Sequence, residues 1–136
     1  MSAGVPALGL LDAQLFPGDE KHDFLRGQNW LAIHAGLPVG FASALWWPPD
    51  RCVYLSRVGA IPEARGHGLQ RRFIRARLRW AREQGAKGAY TYTVPFNVMS
   101  SNNLIREGFT LWRPSKAVRD DWTGEPGALF WWRGLP

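Results

Sequence analysis

The chain has 136 residues, 46% hydrophobic and 21% charged, a length and balance that suit one folded domain over 1–136 and exclude a disordered chain. Its single cysteine, Cys52, excludes an intrachain disulfide framework and a thiolate zinc site, which points to a reducing, cytoplasmic setting. The net charge of +6, from 17 Lys+Arg against 11 Asp+Glu, favours anionic partners.

At the N-terminus no basic segment precedes a long apolar run, so a secretory leader is not expected, and no apolar stretch is long enough to span a bilayer. Within residues 8–26, Leu11, Leu15 and Phe16 fit one side of a short helix interrupted at Pro17. Trp30 to Ala35 reads as a strand, Gly36-Leu37-Pro38 as a turn, and Val39 to Trp47 as the second strand of a hairpin ended by Pro48-Pro49-Asp50. Cys52 to Ile61 is a third strand, rich in β-favouring residues, and Pro62 stops it.

A helix follows from Gly68 to Gln84. Leu69, Phe73, Ala76 and Trp80 recur at helical spacing, widened by Ile74, Leu78 and Ala81, while Arg71, Arg72, Arg75, Arg79 and Arg82 take the other side. Gly85 is a plausible C-cap. Ala89 to Val94 is a fourth strand, broken by Pro95. A second helix occupies 98–107, with Asn97 as N-cap and Gly108 just past its end. Phe109 to Trp112 and Ala128 to Arg133 are closing strands. This order predicts a mixed α/β domain, with a mostly antiparallel central sheet, flanking helices and one crossover.

The segment 53–84 carries the chemistry. A glycine-rich turn opening a helix presents free backbone N–H groups, which with the positive end of the helix dipole bind anions. Gly66 and Gly68 let the backbone approach a phosphate without a Cβ in the way, and Arg65 adds charge. The same two glycines would also serve a plain tight turn. Seven arginines between 65 and 82 concentrate charge at this turn, which suits a small phosphate-bearing ligand at least as well as a long polymer such as a nucleic acid. The Gly-Lys-Ser/Thr ending of an NTPase P-loop is absent, and position 71, where a dinucleotide fingerprint has its third glycine, is Arg71.

The run Val58-Gly59-Ala60-Ile61-Pro62-Glu63-Ala64-Arg65-Gly66-His67-Gly68-Leu69 resembles motif A of the GNAT acetyltransferase superfamily. A second block, Asn97, Ser100, Arg106, Gly108 and Phe109, is similar to that family's Asn-led helix ending in Gly-Phe, and Gly40-Phe41-Ala42 after the hairpin turn is typical too. The resemblance spans about residues 29–112. It implies an acyl-CoA N-acyltransferase fold, acetyl-CoA as co-substrate, no metal, and an amine acceptor that is a small molecule or a protein amine. It implies coenzyme contacts from Val58, Gly59 and Ala60 on the strand, from Arg65, Gly66, His67, Gly68, Leu69 and Gln70 on the turn, and from Asn97 on the pantetheine arm. The domain would work as a monomer or homodimer, with no membrane partner.

The sequence also departs from the family pattern. Glu63 stands where Gln or Arg is usual, and Gln70 where a small residue is usual. Leu104 takes the place of the tyrosine that reprotonates the coenzyme thiolate in many relatives. Tyr92 falls near the position of a glutamate base. Tyr92 is then either an acid or base at the strand opening or an ordinary strand tyrosine. Ser101 lies near the expected path of the pantetheine arm, where capping or exposure would equally place it. The arginine face of the long helix is either solvated or in contact with the coenzyme 3′-phosphate. His34 reads as a strand residue, His22 as a surface one, and Cys52 as buried. A non-catalytic acyl-CoA-binding module is the rival reading, and a basic nucleic-acid-binding domain a weaker one.

Overall fold

The computed structural model describes residues 4–19 and 22–136. The elements run α1 (Gly4–Leu15), β1 (Gln28–His34), β2 (Leu37–Trp47), β3 (Cys52–Ala60), α2 (Leu69–Glu83), β4 (Gly88–Thr93), α3 (Val98–Arg106), β5 (Thr110–Leu111), α4 (Lys116–Asp121) and β6 (Leu129–Gly134). The strands form one sheet in the order β1-β2-β3-β4-β6-β5. All neighbours in it are antiparallel except β3 and β4, whose parallel pairing follows from the crossover through α2.

The predicted elements are present with small shifts at their ends. The hairpin turn falls one residue early. Ala35 and Gly36, with φ of 52° and 79°, form it, and Leu37 and Pro38 already belong to β2. Two successive positive φ values match the twist of paired strands, which a turn over residues 36–38 would not. At the end of α2, Gly85 takes φ 77° and lets the Ala86 N–H return to the Ala81 carbonyl at 3.0 Å. The N-terminal helix starts earlier than its apolar pattern suggested and ends two residues before Pro17. Glu20 and Lys21, within the 8–26 stretch, and the first three residues of the expected leaderless N-terminus lie outside the described residues.

Two layers of side chains hold the sheet. On one face Ile74, Leu78 and Ala81 of α2 meet Ala44, Val53 and Leu55, with Leu104 of α3 and Trp131 of β6 completing that core. On the other, α1 brings Leu8 and Leu11 onto Phe41, and α4 brings Val118 onto Cys52 and Tyr90. Of the tryptophans Trp131 is buried, Trp46 is exposed and the others are half-buried. Trp47, Trp112 and Trp132 pack around Tyr90, and Trp30 meets Trp80 edge-on at 6.1 Å. Cys52 is fully buried at the start of its strand, and that burial pushes its thiol up to about 12. Among the described residues no helix is long and apolar enough to cross a membrane.

Candidate active site

The ladder between β3 and β4 lasts three residue pairs, from Cys52–Gly88 to Tyr54–Tyr90, where the two tyrosine rings stack at 4.8 Å. Beyond it the strands part. The sequence of β3 explains why. Ala44 pairs with Leu55 and Ala42 with Val58, so Ser56 and Arg57 stand opposite Ser43 alone, and a bulge of this kind bends its strand. β4 meanwhile stays paired with β6 up to Thr93. A cleft of about 530 Å³ opens between them, lined among others by Ser56, Val58, Tyr92, Thr93, Asn97 and Ser100.

Of the expected coenzyme contacts Val58, Gln70 and Asn97 line this cleft, while Gly59, Ala60 and the glycine turn from Arg65 to Leu69 lie outside its wall, the turn leading into α2. Gly66 and Gly68 have φ of 82° and 77°, and a Cβ on either would meet nothing within 4 Å, so the space above both is open. Gly68 is the N-cap of α2 and has no side chain to cap it. The first intrahelical bond runs from the Arg72 N–H to the Gly68 carbonyl at 3.1 Å, which leaves the N–H groups of the first turn without an intrahelical acceptor. These donors and open α-carbons fit a pyrophosphate. Arg65 folds back, its Nε donating to the Ala60 carbonyl at 3.1 Å. His67 is exposed on the turn, and Leu69 lies against Gly40.

The edge of β3 facing the cleft supplies further donors. The Ile61 N–H bonds the Val39 carbonyl at 2.9 Å, toward β2. Backbone groups alternate along an antiparallel strand, so the N–H groups of Val58 and Ala60 point to the open edge. Gly59 between them gives room to α1, for a Cβ there would lie 2.9 Å from Leu15 Cδ1.

Polar side chains tie α2 to α3 across the cleft. Gln70 donates from Nε2 to Ser100 Oγ at 3.1 Å and accepts from Asn103 Nδ2 at 2.8 Å. Asn97 caps α3, its Oδ1 accepting from the Ser100 N–H at 3.2 Å. Two arginines of the α2 outer face are not simply solvated. Arg75 and Arg71 both bond the buried Glu107 carboxylate, at 2.9 and 2.8 Å from their Nε atoms. The Arg75 hydrogen bonds hold the Glu107 carboxyl below its usual range, burial opposes them, and Arg71 adds to the lowering.

The two expected catalytic side chains part company. Tyr92 lines the cleft, half-buried, with its ring edge-on to Trp122 at 4.5 Å. Ser101 does not line it; its hydroxyl is engaged with Thr93 Oγ1 at 3.1 Å, which also accepts from Trp131 Nε1 at 2.9 Å. Leu104 is buried at the cleft wall.

Four residues of the cleft wall carried no sequence signal as site residues: Ser56, Arg57, His22 and Arg77. Arg57, on the bulge, donates from Nη1 to Asp12 of α1 at 2.8 Å and lies over the Phe16 ring at 4.7 Å. His22, expected on the surface, is half-buried. Its backbone N–H bonds Asp12 Oδ2 at 3.2 Å and its ring is edge-on to Phe24 at 4.8 Å. Arg77 is 3% exposed, bonded to the carbonyls of Phe73 and Ser43 at 3.1 and 3.4 Å, and burial lowers its pKa. Only Arg77 had left a trace, as a charge on the apolar arc of α2. Among the described residues no cluster of His, Cys, Asp and Glu could hold a metal ion.

Comparison with known proteins bears on the family and the fold. The sequence model of the acetyltransferase (GNAT) family matches residues 11–109. No curated protein matches the chain by sequence. Among solved structures, nourseothricin acetyltransferase is 27% identical with a TM-score of 0.66, covering 79% of this chain and 65% of its own. A putative streptothricin acetyltransferase from Bacillus anthracis, in complex with acetyl coenzyme A, is 18% identical with a TM-score of 0.65, over 79% of this chain and 62% of its own. A GNAT family acetyltransferase from Elizabethkingia anophelis with acetyl-CoA bound is 13% identical with a TM-score of 0.71, over 90% and 87%. The chain thus spans less than two thirds of the length of the first two, and the latter two share its fold.

Proposed function

The chain belongs to the acetyltransferase (GNAT) family, and on that basis we propose that it is an acetyl-CoA-dependent N-acetyltransferase, moving an acetyl group directly to a primary amine. The observation that carries this reading is the cleft between β3 and β4, which Gln70 lines from the first turn of α2, together with the open turn at Gly66 and Gly68 that begins that helix. Two neighbours of the same fold hold acetyl-CoA.

In this reading the N–H groups at the start of α2 bind the pyrophosphate, with Arg65, His67, Leu69 and Gln70 around it. Val58, Gly59 and Ala60 border the pantetheine arm on one side and Asn97 on the other. The Val58 N–H meets the negative charge that develops on the acetyl oxygen. Holding amine and thioester in line supplies much of the acceleration. Tyr92 gives a hydrogen bond to the departing thiolate, in place of the phenol missing at Leu104. Ser101 would act only after leaving Thr93. Residues 1–136 serve as one acetyltransferase domain, in a reducing cytoplasm.

The test is turnover of acetyl-CoA across a panel of primary amines, with coenzyme affinity measured in parallel by calorimetry. Release of CoA that depends on an amine supports the reading; no binding and no turnover defeat it. Leu104 motivates a second reading, a non-catalytic acyl-CoA-binding module, for which tight binding without turnover on any amine would speak.

A further inference from the structure

We propose that His22 is the general base of this reaction, its Nε2 taking the proton of the acceptor ammonium; this rests on the acetyltransferase reading above. His22 lines the β3–β4 cleft together with Phe16, Ser56, Arg57 and Tyr92. Its Nε2 is shielded from solvent and has no hydrogen-bond partner among the described residues. Ser56, on the bulge of β3, lines the same cleft, and its Oγ is likewise buried and unpartnered among the described residues. Buried polar atoms are almost always bonded, so two orphans on one cleft wall mark where a polar ligand binds. Both residues line the cleft, and an amine brought against His22 would donate the N–H bond that Nε2 lacks.

The surroundings keep the imidazole in the form that accepts a proton. Burial and then Arg57 of β3 lower its pKa from 6.5, Asp12 of α1 and Asp23 of its own loop raise it, and Arg26 lowers it. Asp19 also faces the cleft, within 3.8 Å of Arg57 Nη2. The ring is held edge-on by Phe24 and its backbone by Asp12. The other groups are less suited. Asp12 is engaged by Arg57, Asp23 accepts from the Leu25 N–H at 3.0 Å, and Ser101 is bonded to Thr93.

The step balances without further reactants. The ammonium gives one proton to His22 Nε2, and the freed nitrogen lone pair forms the C–N bond to the acetyl carbonyl carbon. The C–S bond then breaks, its electron pair leaving on sulfur. The second proton leaves nitrogen and neutralises the thiolate, giving amide and CoA thiol, while His22 returns its proton to water.

The experiment compares wild type with His22→Gln and His22→Ala, using acetyl-CoA with spermidine, lysine and a short peptide with a free α-amine. On the amine that wild type uses, His22→Gln should lose roughly a hundredfold or more in kcat at pH 7. Its coenzyme affinity by calorimetry should stay unchanged. The acid limb of the wild-type kcat–pH profile, centred below 6.5, should vanish, and added imidazole should restore part of the rate to His22→Ala. A His22→Gln enzyme that keeps its rate within threefold, with the acid limb intact, overturns the assignment. Wild type that binds acetyl-CoA but acetylates none of the amines overturns the enzyme reading, and the base with it. Should the variants not fold, NMR titration of the wild-type imidazole decides, and a ring titrating above 6.5 overturns the proposal.

Discussion

Thr91 donates from Oγ1 to the carbonyl of Leu55 at 2.8 Å, across the point where β3 and β4 cease to pair. The side chain thus stands in for a backbone donor at the root of the cleft. Thr91→Val keeps the shape, removes the donor and leaves a buried carbonyl unsatisfied. It should cost about 1–3 kcal/mol, read as a lower urea midpoint with an unchanged slope.

Gly68 separates the coenzyme turn from a plain one. Its φ of 77° disfavours most side chains, yet nothing lies within 4 Å of an added Cβ. Asn tolerates this conformation, so Gly68→Asn should fold normally and hold acetyl-CoA within severalfold of wild type. Gly68→Glu places a carboxylate beside the same N–H donors. Calorimetry should show its affinity reduced by at least about tenfold, since it competes for the helix N-terminus.

Tyr92 is the only one of the two expected catalytic side chains that reaches the cleft. Tyr92→Phe keeps the ring on Trp122 and removes the hydroxyl. We expect kcat to fall roughly ten- to a hundredfold with coenzyme affinity unchanged. Ser101→Ala should alter kcat by less, since that hydroxyl is bonded to Thr93. Steady-state kinetics on one amine checks both.

Glu107 joins α2 to the end of α3 through Arg75 and Arg71. Glu107→Gln should lower stability by about 1–3 kcal/mol near neutral pH, as charged hydrogen bonds are lost. The carboxyl pKa is lowered in the fold, so the wild-type advantage is fully present above the ordinary value of 4.5 and is lost as pH falls through the lower folded value. Melting curves of the two proteins should therefore run apart at pH 6 to 7, roughly in parallel, and draw together only as pH falls below 4.5.

Periodicity made much of the fold legible. α2 and β2 to β4 appear within two residues of their expected ends, because each buries a face whose spacing is visible in the chain. α4 escaped, since Lys116–Asp121 is six residues long with one buried side chain, Val118, too short for a pattern. β5 is shorter than its apolar run, as only Thr110 and Leu111 pair with β6. The glycine turn is local, and so it was readable. The cleft wall is not. Asp12 meets Arg57 across 45 positions, and His22 reaches the cleft only because α1 packs on the bulged strand. No spacing rule encodes such a meeting.

The bulge in β3 also fixes the parity of the strand. Side chains alternate between faces, so Tyr54 and Arg57, three apart, belong on opposite faces. The extra residue cancels that difference. Leu55 and Val58 lie across from Ala44 and Ala42, which share a face, so Tyr54, Ser56 and Arg57 share the other. Counting by two fails at this one place, and Arg57 meets Asp12 because it fails. Deleting Ser56 alone would leave Arg57 opposite Ser43 and Val58 still opposite Ala42, so every side chain from Arg57 to Ala60 would keep its face. What would go is the bend itself, so β3 would run straight past Tyr54 and the gap from β4 would narrow with the phosphate turn left untouched.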